Sequence, residues 1–185
     1  MNQRWAAVYE QEISINETLN QFLEEHHMTI DQLSVSGESR SSLLERFFPK
    51  CLTILQNNFS TGIFVILSGE DMEAPGEFDG FFIRDSARNT IPANNRDLLL
   101  ERGSKKLSRE WNIPLDTSWT TYFHMDGQGR NPSEKYFYEP WRAGTEYRDA
   151  DIRNLGYWSL PFYLEKGTAD SYEMITYSIP LRYEG

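Results

Sequence analysis

An α+β fold is predicted by three features of this 185-residue chain. Helical patterns fill its first third, strand-like apolar runs follow, and the segments between neighbouring runs are short enough for hairpins. Hairpins imply an antiparallel sheet, here of about five strands, with helices gathered alongside on one side.

The elements follow in order. Over residues 3–28, Val8, Ile15, Leu19 and Phe22 fall near heptad or i, i+4 spacing, and Trp5, Tyr9 and Ile13 form a second stripe beside them. No proline or glycine interrupts this pattern, so one long helix is expected, narrow enough in its apolar face to pack on a domain or on a second copy of itself. "SVSGESRSS" is a loop ending in helix-capping residues. A helix follows over about 41–48; Pro49, which lacks an amide proton, is expected to break or restart it, and 50–57 continue as helix.

"GIFVILSG", 62–69, is a continuous β-branched and aromatic run and reads as a central strand. "EDMEAPGEFD" is an acidic turn, and "GFFIRDS", 80–86, is the partner strand of a hairpin. "ARNTIPANN" is a polar loop. Residues 95–110, with Leu98, Leu99 and Leu100 near the start and Leu107 further on, read as a helix. "SWTTYFHM", 118–125, has strand composition, "DGQGRNPSE" is a loop, and 133–151 are helical or irregular. "GYWSLPFYL", 156–164, and "YEMITYSIPLRY", 172–183, are strands joined by "EKGTADS"; in the second, Ile175, Tyr177 and Ile179 alternate with Met174, Thr176 and Ser178.

Composition narrows the function. Hydrophobic residues make up 39% and aromatics 14%, enough for one core built on large rings. A net charge of −10 repels phosphate backbones, so no nucleic-acid partner is expected. The one cysteine, Cys51, lies in an apolar helical pattern and is expected to act as a small buried hydrophobe. No apolar run approaches the roughly 20 residues that span a bilayer, and the opening "MNQRWAAVYEQE" is too polar for a signal peptide.

Chemistry-bearing residues concentrate in the second half. In "YEPWRAG", Tyr138 and Trp141 either stack on a ligand in a mostly apolar pocket or anchor the segment to the core. Glu139 either faces that pocket, where it favours a cationic or polyhydroxyl ligand, or is a solvated charge paired with Arg142. Trp158 and Tyr177, on the last two strands, belong to the core or line the same pocket. Arg84, beside Asp85 at a strand end, holds either a loop or a ligand, and Tyr122 completes the candidate ligand-binding set. His26 and His27 end the first helix, and His124 with Asp126 offers too few ligands for a metal. "DGQGRNPSE" lacks calcium-loop spacing. With no nucleophile, phosphate-loop or zinc signature, neither catalysis nor a cofactor is expected.

Six segments, "GFFIRDSARN", "NRDLLLERG", "NIPLDTSW", "YFYEPWRAG", "LGYWSLPF" and "ITYSIPL", resemble in this order the membrane-distal module of double Cache domains, the PAS-like extracytoplasmic sensors of bacterial histidine kinases, chemoreceptors and diguanylate cyclases. The resemblance implies residues 1–35 as a stalk helix and 36–185 as the sensing module, with the proximal module and membrane spans lying outside this chain. It implies a small-molecule ligand, a position on the outer face of a bacterial membrane, and signalling through the N-terminal helix to a cytoplasmic cyclase or kinase. The alternative is a ligand-free structural module that dimerises through that helix. The family's amino-acid pattern, a tyrosine, then Arg-x-Trp-Tyr, then an aspartate, is met here by Trp141 alone. Glu139 stands in place of the arginine and Arg142 in place of the second tyrosine. The first position falls near Glu134 and the last near Leu164, with Glu165 adjacent, which argues against an α-amino acid.

Overall fold

The computed structural model describes residues 3–57, 60–68, 71, 74–86, 97–127, 129–164 and 172–183, with the side chains of 3–9 outside that description. The predicted loop 87–95 and the linker "EKGTADS" therefore fall outside the described residues, as do the side chains of Trp5, Val8 and Tyr9. The fold is α+β: N-terminal helices lead into a mixed five-stranded sheet with helices packed alongside.

Helix α1 (Gln3–Glu25) buries Ile15, Leu19, Phe22 and Leu23 in the main core. A short helix α2 (Ile30–Val35) starts with a capping box, in which the Gln32 amide donates to Thr29 Oγ1 and the Thr29 amide donates to Gln32 Oε1. Helix α3 (Gly37–Asn57) runs straight through Pro49, where a break was expected. The apolar stripe explains this: Leu44, Phe47 and Phe48 before the proline and Cys51, Leu52 and Leu55 after it all face one core. Each buried large side chain contributes about 1.5–3 kcal/mol, which together outweighs the roughly 3 kcal/mol that an internal proline costs. Cys51 is a buried core hydrophobe, as its setting predicted.

Strands β1 (Gly62–Leu67), β2 (Gly76–Asp85), β3 (Leu98–Arg102) and β4 (Leu115–Thr120) lie in that order, and β5 (Phe123–Met125) pairs with the start of β2. β1/β2 and β2/β3 are antiparallel, whereas β3/β4 is parallel, so the sheet is mixed and not purely antiparallel. Three further expectations are corrected here. Among the described residues β1 lies at an edge of the sheet and not at its centre. The run 98–102 is a strand, and helix α4 (Lys105–Trp111) begins only after Ser104 caps it; Leu98 and Leu100 are both buried in the helix-side core, the period-two signature of a strand. The C-terminal runs do not join the sheet. Residues 157–163 pair with 173–178 as a separate antiparallel ribbon, through β6 (Tyr157–Trp158) with β9 (Tyr177–Ser178) and β7 (Phe162–Tyr163) with β8 (Glu173–Met174).

The sheet has a core on each face. Val65, Leu67, Phe81, Ile83, Leu98 and Leu100 meet α1 and α3. The opposite side chains, among them Phe64, Phe78 and Phe82, meet helix α5 (Lys135–Glu146) and the ribbon through Tyr136, Phe137 and Phe162. Helices thus cover both faces and not one. Among the described residues no helix is long and apolar enough to cross a membrane.

Candidate ligand-binding cleft

A cleft of about 750 Å³ runs along the free edge of β1, within the size range of small-molecule sites. One wall is β1 with Glu12, Ile15 and Leu19 of α1; the other is α5 with the C-terminal segment from Tyr172 to Arg182. Trp141 comes to this cleft from α5 because the helix buries Tyr136, Tyr138 and Pro140 and leaves the indole half-buried at their margin. It stands edge-on to Tyr138, with ring centroids 6.3 Å apart. Trp158 and Tyr177 reach the cleft from the ribbon, ring to ring at 5.0 Å.

The other sequence candidates lie elsewhere. Tyr138 is buried in the second core. Glu139 and Arg142, three residues apart on α5, form an ion pair at 3.8 Å, and the guanidinium also lies over the Tyr138 ring; neither lines the cleft. Tyr122 is exposed at the bend between β4 and β5.

Arg84 belongs to a buried charge network that sequence reasoning did not assemble. Its guanidinium binds Asp116 of β4 and lies 3.2 Å from Glu101 Oε2 of β3. Tyr172 donates to that same Glu101 oxygen at 3.0 Å and stacks its ring under the guanidinium. Burial pushes the Glu101 carboxyl up, against the opposing pull of Tyr172, Arg102 and Arg84. Burial also acts on Asp116, but the Ser118 amide and the Arg84 guanidinium together overcome it and hold that carboxyl below its ordinary value. Burial raises the Tyr172 phenol, and the adjacent Glu101 carboxylate adds to the shift. Since Tyr172 also lines the cleft, the network braces one of its walls.

The cleft itself carries polar groups without partners. Of the four buried side-chain polar atoms that lack a hydrogen bond among the described residues, Glu12 Oε2, Thr176 Oγ1 and Ser178 Oγ belong to residues lining it. Burial raises the Glu12 carboxyl to about 8. Glu12 was legible in principle, since it continues the Ile15–Leu19 face of α1 one turn earlier. At the far end, the Arg182 amide donates to Asn16 Oδ1 at 2.6 Å and its carbonyl accepts from Asn20 Nδ2 at 3.2 Å, so the C-terminal segment is tied to α1. Among the described residues no group of three or more metal-ligating side chains comes together. The chain matches no protein-family model, no curated protein and no solved structure.

Proposed function

We propose that this chain is a ligand-sensing module of a transmembrane signalling protein, of the membrane-distal double Cache kind, acting on the outer face of a bacterial membrane. The observation that carries the reading is the cleft of about 750 Å³ with Trp141, Trp158 and Tyr177 on its walls. Its two walls belong to different parts of the fold, so a ligand that touches both favours one separation between them. Arg182 links the C-terminal wall to α1, and α1 passes the displacement to the membrane and a cytoplasmic kinase or cyclase. The ligand selects one wall separation from those already populated.

A thermal-shift screen of uncharged and cationic metabolites tests this. A true ligand at a hundredfold excess over its Kd stabilises the fold by about 2.7 kcal/mol, and Trp141→Ala removes that shift. A complete absence of stabilising compounds favours the ligand-free structural module.

A further inference from the structure

The register of β1 shows what its free edge offers. The Asp85 amide donates to the Thr61 carbonyl at 2.7 Å, and Thr61 stands opposite Asp85 in the register that pairs Gly62 with Arg84. Hydrogen-bonded positions alternate along an antiparallel ladder. Residues 61, 63, 65 and 67 therefore spend their amides and carbonyls on β2, and Gly62, Phe64 and Ile66 turn theirs the other way. Among the described residues no strand pairs with that edge. An unpaired row of amides and carbonyls is a template for another strand.

The surroundings fit the same occupant. β1 is apolar on both faces, with Ile63, Val65 and Leu67 toward α3 and Phe64 and Ile66 toward α5. Both faces of β1 are therefore covered, and its row of free amides and carbonyls lies between two apolar layers. The cleft wraps this edge and reaches side chains of both faces, so an added strand would find an apolar wall above and below it. Across from β1 stand the unpartnered Thr176 and Ser178 hydroxyls, the latter 7% exposed, and on the α1 side the unpartnered Glu12 oxygen. These groups can take up the second edge of an inserted backbone. The C-terminal segment forms the opposite wall of this cleft of about 750 Å³, so an added strand would lie between two parts of one protomer, and the sheet edge of a second copy would have to pass that same wall.

We infer that the cleft binds an extended, uncharged peptide segment of another polypeptide, which adds as a strand to Gly62, Phe64 and Ile66 of β1. This rests on the sensing reading above and names its ligand class. β1 is 6 residues long, so the paired stretch spans about 20 Å. Main-chain hydrogen bonds hold such a ligand, and the apolar walls choose side chains on alternate positions.

The experiment uses the 185-residue chain and a capped, uncharged hexapeptide of alternating valine and threonine, flanked by serine pairs for solubility. Amide hydrogen exchange and a thermal-shift titration are read together. The expected result is at least tenfold slower exchange at Gly62, Phe64 and Ile66, with little change at Ile63 and Val65, and saturable stabilisation. A peptide N-methylated at alternate residues is expected to bind at least tenfold more weakly. Equal binding of the methylated peptide, or no new protection along β1, overturns the inference. So does a longer form of the polypeptide in which these three amides are already protected and the peptide is excluded. Stabilisation by a compact metabolite with none by the peptide overturns the peptide class and leaves the sensing reading standing; no response to either overturns both.

Discussion

Arg84→Leu isolates the buried charge network. The Arg84 side chain is 9% exposed, Glu101 4% and Asp116 1%. Nε lies 2.9 Å from Asp116 Oδ2 and 3.2 Å from Glu101 Oε2. At an effective dielectric near 20, each contact at that separation supplies roughly 5 kcal/mol of attraction, most of it offset by desolvating three charged groups. Leucine keeps an apolar side chain in the site but leaves two carboxylates buried with their shared cation gone. Breaking a buried pair in this way costs about 3–5 kcal/mol, which in a chain of this length lowers Tm by roughly 10 °C.

The pH dependence separates lost charge from lost packing. With Arg84 present, the depressed Asp116 pKa contributes stability above its unfolded value, lost as pH falls through the lower folded value. Glu101, raised by burial, works the other way and weakens the fold as pH rises through its window. Removing the guanidinium raises both carboxyls, so protonation relieves the variant more than the parent. The gap between the two is expected to be widest near neutral pH and to narrow toward about pH 4. Urea unfolding at both conditions measures it. A loss below about 1 kcal/mol, the size of an exposed pair, or an equal loss at both pH values would refute the reasoning.

Two further outcomes follow from single atoms. Glu12, raised to about 8 by burial, keeps its proton in the folded state over a range where the unfolded chain has lost it; stability therefore falls as pH rises from the ordinary carboxylate range through about 8, and Glu12→Gln removes that slope, so a constant difference in urea midpoint between variant and parent across this window would contradict the burial of Glu12. Gly129 has φ +59°, and a Cβ there would stand 2.7 Å from Tyr138 Cβ; Gly129→Ala is expected to lose about 2–4 kcal/mol from left-handed strain and overpacking together, read as a lower denaturation midpoint with an unchanged slope.

The sequence was most legible where one periodicity ruled a whole segment. The 3.6-residue stripe found α1 and α3, and the β-branched runs found β1 and β2. Leu98–Leu99–Leu100 defeated the same test because three consecutive leucines suit either period. The deciding residue was Glu101, whose buried place beside Arg84 and Tyr172 depends on partners as much as 71 residues away. Trp141 stood out as a large ring in a polar helix and does reach the cleft. Glu139 and Arg142 looked equally suited to a ligand, but a spacing of three on a helix lets them satisfy each other. Thr176 and Ser178 gave no signal, and Glu12 gave only its place on the Ile15–Leu19 face of α1, since a lack of partners becomes visible only in three dimensions. The central position expected for β1 was read from its continuous β-branched and aromatic run; a core on each face of the sheet accounts for that run at an edge as well as at the centre.

The edge position bears on how a bound strand would act under the proposed sensing function. Arg182 is the junction: its backbone holds Asn16 and Asn20 of α1, and its guanidinium donates to the carbonyls of Arg148 at 2.6 Å and Ala150 at 2.9 Å, beyond the end of α5. A strand between β1 and residues 176–182 would press on this segment and hence on two hydrogen bonds to α1, each worth about 1 kcal/mol net. Their sum falls within the 1–3 kcal/mol typical of coupling between sites. It is enough to shift a two-state balance by about tenfold or more, and small beside the buried apolar contacts of Ile15, Leu19, Phe22 and Leu23 that keep α1 on α3. The junction can therefore bias the position of α1 without detaching it, as the proposed signalling role requires.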